Sequence, residues 1–280
     1  MIDQLPKLPL AHWVRAFVDF LTDHLQGFFG GLSHFISMIA DSVNAFLNFL
    51  PPIVLILIFL VLAWYRTGWR FALFTLIGLG LIADLGYWEE TVQTLTLILI
   101  SVIIAIIIGI PFGIWMSQNH WVRSIVTPIL DFMQTMPAFV YLIPSVIFFD
   151  LGVVPGIIAT VVFSMPPVVR LTNLGIRQVP MDLVEASNAF GATTWQRLTK
   201  VQIPLAVPTI MAGVNQSIML SLSMVVIASM VGAPGLGAVV YQSVTTIDVG
   251  VGFEGGLSLV IIAVILDRIS QGRERKKNKA

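Results

Sequence analysis

Residues Glu185–Pro208, EASNAFGATTWQRLTKVQIPLAVP, form a polar stretch between two long apolar runs. No Asp, Glu, Lys or Arg occurs between Asp150 and Arg170 before it, or between Lys200 and Asp248 around its end. Runs of this length can cross a bilayer as helices, which need about 20 mostly apolar residues. We therefore expect the polar stretch to be a structured loop that lies outside the membrane.

The composition of the 280-residue chain is typical of a membrane protein. Hydrophobic residues make up 57% and charged residues 11% of the chain, and the mean hydropathy is +0.92, whereas soluble domains contain about 25% charged residues. The net charge is zero, so nothing indicates nucleic acid as a partner. The N-terminus has no pattern of a removable signal peptide. These features predict an all-α integral membrane protein.

The charge-free runs predict about seven transmembrane helices. Prolines at Pro137 and Pro144 should kink the fourth of them. The predicted spans are 46–65, 70–87, 91–116, 130–150, 155–174, 205–231 and 254–269.

The distribution of cations predicts the orientation of the chain in the membrane. When the loops alternate outward from a cytoplasmic polar stretch, all 15 Lys and Arg except Lys7 and Arg15 fall on the cytoplasmic side. This asymmetry agrees with the positive-inside rule. We therefore expect a multi-pass membrane protein with a cytoplasmic C-terminus.

Residues 1–45 show the spacing of an amphipathic helix, with apolar residues at helical intervals from Trp13 onward. One helix, or two helices broken near Gly30 and Gly31, would fit the outer interface of the membrane; packing across neighbouring helices would also fit. We assign this segment a scaffold role, with direct substrate contact as the alternative. Residues 46–88 are expected to add two scaffold transmembrane helices.

No motif predicts an enzyme. The phosphate-binding GxxxxGK[ST] loop and the GxSxG nucleophile motif are absent, and the four histidines lack metal-ligand spacing. No ionisable residue lies deep within a predicted span, although proton-driven carriers use such residues. We therefore predict no catalytic residue, no metal site and no cofactor on this chain, and an external energy source for any transport.

Residues 180–204, which we call the polar hairpin, should form two short helices. Pro180 favours a helix start, so the first helix should run from about Met181 to Phe190. Gly191 can adopt the left-handed conformation that commonly ends a helix.

The second helix of the polar hairpin should start after Thr193, because Thr193 and Gln196 have the spacing of a capping box. Pro204 should end it. The hairpin would expose an apolar patch, which predicts docking to a soluble partner. The patch is predicted to comprise Phe190, Trp195 and Leu198.

The polar hairpin resembles the loop signature of bacterial ABC importer permeases, EAA---G---------I-LP. The spacing matches throughout, with Ser for the third Ala, Val for Ile and Ile for Leu. The matching residues are Glu185, Ala186, Ser187, Gly191, Val201, Ile203 and Pro204.

This resemblance implies a type I ABC importer permease core over residues 89–269, with the polar hairpin as its pair of coupling helices. Glu185, Ala186 and Gly191 would form the centre of a contact with a cytoplasmic ATPase subunit, and an exposed aromatic residue of the hairpin would fill its socket. ATP and Mg²⁺ would be bound by that ATPase. The resemblance also implies a second copy of the chain and a separate extracellular substrate-binding protein.

From Glu89 onward the chain is similar to permeases of glycine betaine/proline betaine importers, including QTMPAFVYLIP at Gln134–Pro144 and MVGAPGLG at Met230–Gly237. This similarity implies glycine betaine or a related osmoprotectant as the substrate. Choline, carnitine and proline stay open as alternatives, and so does a stand-alone channel or carrier. The basic tail, residues 270–280, is expected to fix topology; binding to anionic lipid is the alternative.

A path for a zwitterion with a quaternary ammonium should be neutral, with weak polar contacts and an aromatic face. Small polar residues in or near the spans fit this description, although they also commonly hold helices together. Gly109 and Gly113 have the spacing of a close helix contact. The path candidates are Gln134, Thr135, Tyr141, Asn215, Gln216, Ser217, Ser221 and Ser223.

Overall fold

The computed structural model describes residues 9–272, and every regular element within that range is a helix. Two non-α segments occur, a 3-10 turn at Ala138–Tyr141 and a π-helical segment at Leu198–Gln202. The α-helices are α1 (Leu10–Phe49), α2 (Pro52–Arg66), α3 (Trp69–Asp84), α4 (Trp88–Gln118), α5 (His120–Thr135), α6 (Leu142–Phe149), α7 (Val153–Arg177), α8 (Met181–Ala189), α9 (Thr194–Arg197), α10 (Ile203–Ser229), α11 (Leu236–Thr246) and α12 (Val249–Gln271).

By length and composition alone, the described helices give four to six candidate spans, against the prediction of about seven. Four are long and apolar enough to cross a membrane, namely α4, α7, the continuous helix Thr194–Ser229 and α12, and the number rises to six if each of two bent pairs forms one span. Helices α2 and α3 have 15 and 16 residues, so each is about 23 Å long, shorter than the roughly 30 Å hydrocarbon core. The charge-free runs are therefore longer than the helices within them, because each run also includes the residues of bends and turns.

Helix α1 covers 40 residues but is kinked at Leu25, whose φ of −115° and ψ of 15° are not helical. The predicted break into two helices therefore lies at Leu25, and the chain is helical at Gly30 and Gly31. The second half of α1 packs on the core, where the ring of Phe29 stacks on Phe148 with centroids 4.5 Å apart. This half therefore uses the second predicted arrangement, packing across neighbouring helices. The chain then turns by 96° into α2.

The predicted fourth span, 130–150, is a corner between α5 and α6, which meet at 111°. Met136 and Pro137 are both extended, with ψ near 137°. Met136 leaves the helical conformation because that conformation is disfavoured for a residue before proline. Pro144 causes no break. It lies in the first turn of α6, where a missing N–H leaves no helical bond unmade.

Glycines allow α4, α7 and α10 to pack closely. A Cβ at Gly109 would lie 3.0 Å from a methyl of Val168, and a Cβ at Gly113 would lie 2.6 Å from Thr172 Cβ. On the other side of α7, a Cβ at Gly213 would lie 2.9 Å from the carbonyl oxygen of Pro167. The close contact predicted from the Gly109–Gly113 spacing is confirmed, and its partner is α7.

Loops that the predicted topology places on the same side of the membrane contact each other at both ends of the bundle. At the end assigned to the cytoplasm, the hydroxyl of Thr67 donates to Arg268 O (3.2 Å). At the opposite end, Leu236 N donates to the hydroxyl of Thr94 (2.8 Å) and Tyr87 Oη donates to Glu254 (3.1 Å). The loops that should share a side therefore contact each other.

Replacing Gly113 with Ala should destabilise the α4–α7 contact by about 1–3 kcal/mol, because the new methyl overlaps the rigid backbone at Val169 O, 2.7 Å away. Gly80→Ala is the matched control, since nothing lies within 4 Å of a Cβ there and alanine favours a helix by up to about 1 kcal/mol. Thermal unfolding in detergent measures both. Equal effects of the two substitutions would contradict the packing described for α4.

Candidate docking hairpin and transport path

The first half of the polar hairpin is helix α8 followed by a left-handed turn. Gly191 has φ +74°, which confirms the predicted conformation. Two backbone hydrogen bonds close the turn, from Ala192 N to Ser187 O (3.1 Å) and from Gly191 N to Asn188 O (2.9 Å), as in a Schellman motif. The reversal of the chain is therefore encoded locally, by a glycine where an L side chain would be strained.

The second half starts with the predicted capping box. Gln196 N donates to the Thr193 hydroxyl (3.3 Å), and Thr193 N donates to Gln196 Oε1 (2.9 Å). Across the turn, the guanidinium of Arg197 donates to Asn188 Oδ1 (3.0 Å). These bonds hold α8 and α9 in one fixed arrangement.

The prediction that Pro204 ends the second helix is wrong. The helix runs without a break from Thr194 to Ser229, and Pro204 lies in the first turn of α10. The π-helical segment Leu198–Gln202 comes directly before it. A π segment changes the hydrogen-bonding register, so the N–H that proline lacks interrupts no regular α-helical ladder. The second half of the hairpin, α9, is consequently the end of a long helix.

The polar hairpin exposes two aromatic side chains. Phe190 is 92% exposed and Trp195 is 69% exposed, and neither α8 nor α9 has a buried residue. Leu198 was predicted to belong to this patch, but it is only 4% exposed and lies in a buried cluster with Ile176 and Ala206. It therefore anchors the hairpin to the bundle, and the exposed patch consists of the two aromatic residues.

The residues of the loop signature divide between these two roles. Those of the first helix and turn are open to a partner, while those near the π segment pack against the bundle in part. Glu185, Ala186, Gly191 and Pro204 are exposed, and Ser187, Val201 and Ile203 are half-buried.

The path candidates also fall into two groups. Four of them face neighbouring helices. Tyr141 donates its hydroxyl hydrogen bond to Met133 O, and Ser221 donates to Ser217 O at 2.9 Å. Within the described residues, Asn215 Oδ1 and Ser217 Oγ are buried without a hydrogen-bond partner. The buried candidates are Tyr141, Asn215, Ser217 and Ser221.

The other four candidates are exposed on the chain. Gln216 and Ser223 are two turns apart on one face of α10, and Gln134 and Thr135 lie at the end of α5. They remain candidates, since nothing in the fold assigns them a packing role. The exposed candidates are Gln134, Thr135, Gln216 and Ser223.

An ion pair between Asp131 of α5 and Arg170 of α7 was missed by the sequence analysis, which treated both residues as lying at the edges of spans. Helix α5 begins at His120, eleven residues before Asp131. The side chains of both residues are partly exposed, 57% for Asp131 and 35% for Arg170. The sequence carries no signal for the pairing, because the two residues are 39 positions apart.

Among the described residues, no group of three or more His, Cys, Asp or Glu residues is placed to hold a metal ion. The fold and site define a helical membrane protein with a rigid hairpin exposed at one end of its bundle.

Comparison with known proteins identifies the group within that class. Residues 105–277 match the family described as binding-protein-dependent transport system inner membrane component. The chain is 57% identical over 276 residues to the glycine betaine transport system permease protein OpuAB of Bacillus subtilis, covering 99% of this chain and 98% of that protein. It is 52% identical over 276 residues to the glycine betaine/carnitine transport permease protein GbuB of Listeria monocytogenes, covering 97% and 98%.

A solved structure shows the same core. The inward-facing MetNI methionine ABC transporter is similar with a TM-score of 0.59 and 25% identity, over 64% of this chain and 92% of that chain. The chain belongs to the family of binding-protein-dependent transport system inner membrane components. It is a permease subunit of the ABC importer type.

Thr193→Ala should weaken the start of α9 by about 0.5–2 kcal/mol, because the amide of Gln196 loses its acceptor. Hydrogen exchange at that amide should become faster. Thr194→Ala is the matched control, since Thr194 is exposed and lies just inside the helix. The same exchange rate in both variants would exclude a capping role for Thr193.

Proposed function

We propose that this chain forms half of the membrane path of an ATP-driven importer for glycine betaine or a closely related osmoprotectant. The observation that carries the proposal is the alignment with glycine betaine permeases over 97–99% of the chain. The protein would lie in the bacterial plasma membrane with its C-terminus in the cytoplasm. Residues 273–280, which include most of the basic tail, lie outside the described residues.

The geometry of the polar hairpin supports docking to a cytoplasmic ATPase subunit. Phe190 and Trp195 are large apolar side chains held in water by a rigid turn, and exposed groups of this kind favour burial in a partner. ATP and Mg²⁺ would be bound by that ATPase, since the phosphate-binding loop is absent here.

Movement of the hairpin would be transmitted directly to the membrane helices α7 and α10. On one side it continues into α10 through an unbroken helix, and on the other only three residues separate its first helix, α8, from the end of α7. A Cβ at Gly175 of α7 would lie 2.9 Å from Thr209 Cβ of α10, so the two helices are too closely packed to slide independently. A tilt imposed by the ATPase would therefore move α7 and α10 as a unit.

The proposed transporter needs further partners besides the ATPase. A second copy of the chain would cover the exposed face of α10 that carries Gln216 and Ser223, and an extracellular binding protein would deliver the substrate at the opposite end. Anionic lipid at the basic tail is a further proposed partner. Carnitine, choline or proline is the second candidate substrate, and the name of GbuB includes carnitine.

Reconstitution tests the proposal. The chain combined with its ATPase and binding protein in liposomes should take up labelled glycine betaine only when ATP is present, because the chain has no energy source of its own. Unlabelled choline, carnitine and proline as competitors would establish the substrate range. Uptake by the purified chain alone would instead support a stand-alone channel or carrier.

Gly191→Val should insert normally but lower uptake while ATP hydrolysis continues. A left-handed conformation costs a non-glycine residue roughly 1–2 kcal/mol, and a β-branched residue more, so the turn should distort. Nothing lies within 4 Å of a Cβ at this position, so strain rather than a clash is tested. Gly191→Asn is the control and should keep most uptake, because asparagine tolerates this conformation. Normal coupling in the valine variant would count against the docking role.

A further inference from the structure

A groove of about 400 Å³ lies where the turn between α2 and α3 meets the last turns of α12. None of its lining residues belongs to the polar hairpin or to the path candidates, so it is a separate feature of the molecule. The lining residues are Thr67, Arg70, Phe71, Phe74, Val264 and Arg268.

Direct contacts hold the α2–α3 turn on the end of α12. The hydroxyl of Thr67 donates to Arg268 O (3.2 Å), and a Cβ at Gly272 would lie 2.6 Å from Arg66 O. The turn itself uses Gly68, whose φ of +124° is rarely adopted by residues with a side chain. The walls of the groove are therefore fixed relative to each other, although they are about 200 residues apart in sequence.

The groove is cationic near the helix ends and apolar one turn further in. Arg70 is the second residue of α3, and Arg268 lies in the last turn of α12. Phe74 and Val264 are each four residues further from those ends, which is about 6 Å along the same face of a helix. A phospholipid changes from a charged headgroup to acyl chains in the same direction.

The ends of the helices bring this groove to the edge of the membrane. Helix α12 is long and apolar enough to cross a bilayer, so a residue in its last turn lies near the lipid headgroups. The exposed side chains of Trp64 and Trp69 flank the α2–α3 turn in sequence, and tryptophan is enriched at membrane–water interfaces. The groove therefore borders the headgroup layer of one leaflet.

Neither guanidinium in the groove has a counter-charge within the described part of the chain. Arg70 and Arg268 form no ion pair and no side-chain hydrogen bond there; Arg70 lies over the ring of Trp69, 5.7 Å from its centroid. Asp267, next to Arg268 in sequence, instead accepts a hydrogen bond from Gln271. The groove therefore has a positive charge and unused N–H donors, which together favour an anionic ligand.

We infer that the groove between α3 and α12 binds an anionic phospholipid. The lipid phosphate binds Arg70 and Arg268, because the planar fork of a guanidinium matches phosphate oxygens. The acyl chains lie on Phe74 and Val264, one turn deeper in the membrane. The bound lipid thereby connects the hairpin of α2 and α3 to α12.

Charge selects this ligand over the others that could reach the groove. The basic tail follows Gly272 in sequence, and its cations are repelled by the two arginines. A zwitterionic phospholipid has a cationic group that the arginines also repel. A free phosphate ion fits the arginines but leaves Phe74 and Val264 uncovered. Only an anionic phospholipid complements both parts of the groove.

This site differs from the contact proposed for the basic tail. A charged tail attracts an anionic membrane surface as a whole, whereas the groove holds one lipid molecule in a fixed position. The inference also does not depend on the substrate, since its tests measure lipid binding and stability rather than uptake.

Native mass spectrometry of the full chain in detergent measures the binding. Phosphatidylglycerol should bind more tightly than phosphatidylcholine. Arg70→Gln/Arg268→Gln should weaken phosphatidylglycerol binding about thirty-fold, because each cation beside an anionic headgroup contributes about fivefold. Arg123→Gln/Arg177→Gln is the matched control, which removes two cations predicted to lie at the same end of the bundle but outside the groove. Equal weakening in both double variants would overturn the inference.

Thermal unfolding of the delipidated chain separates lipid binding from a role within the protein. Without lipid, Arg70→Gln/Arg268→Gln should unfold at about the temperature of the unmodified chain, since neither arginine loses an ion pair or hydrogen bond. Added phosphatidylglycerol should then stabilise the unmodified chain and not the variant, because a ligand stabilises only the form that binds it. An equal loss of stability with and without lipid would contradict the inference.

Competition identifies the source of the phosphate. Glycerol phosphate has the anionic group but no acyl chains, so it should not displace phosphatidylglycerol at the same concentration. Displacement would show a site for free anions. Equal affinity for phosphatidylglycerol and phosphatidylcholine would show a lipid site that ignores charge. Either result would replace the anionic phospholipid inferred here.

Discussion

The close contact between α7 and α10 is the interaction on which the rest of the structure depends. Lipid is as apolar as the helices, so helices associate in a bilayer through tight packing rather than by leaving water. Gly175 and Gly213 provide that packing by letting one backbone approach the other. Both ends of the polar hairpin are fixed by these two helices, and one half of the ion pair is on α7. The polar hairpin and the two helices that flank it are therefore parts of one mechanical unit.

The features that were predicted correctly from the sequence are those stabilised by interactions between residues close together in the chain. The left-handed turn at Gly191 and the capping box at Thr193 depend on bonds within a few residues, and both were found as expected. The burial of Leu198 could not be predicted in this way, because it depends on a pocket formed by distant residues. The continuity past Pro204 was missed for a related reason, since a π segment has no simple sequence signature.

The predicted bounds of the helices were wrong where the chain bends. A charge-free run is compatible with a helix that crosses the bilayer and with one that turns within it, and only tertiary contacts decide between them. Pro137 marked the position of one bend but not its 111° angle. The Asp131–Arg170 pair was equally out of reach, because its members are 39 residues apart and each appeared to belong to a different boundary.

The π segment at Leu198–Gln202 determines the rotation of the hairpin about the axis of the membrane helix that follows it. Each residue of an α-helix turns the chain by about 100°, so one deletion here would rotate Phe190 and Trp195 to a different side of the molecule. A substitution would leave their direction unchanged. The number of residues between Gly191 and Pro204 therefore matters more than the identity of those residues. This agrees with the match to the loop signature, in which the spacing is kept although Val201 and Ile203 differ from the signature residues.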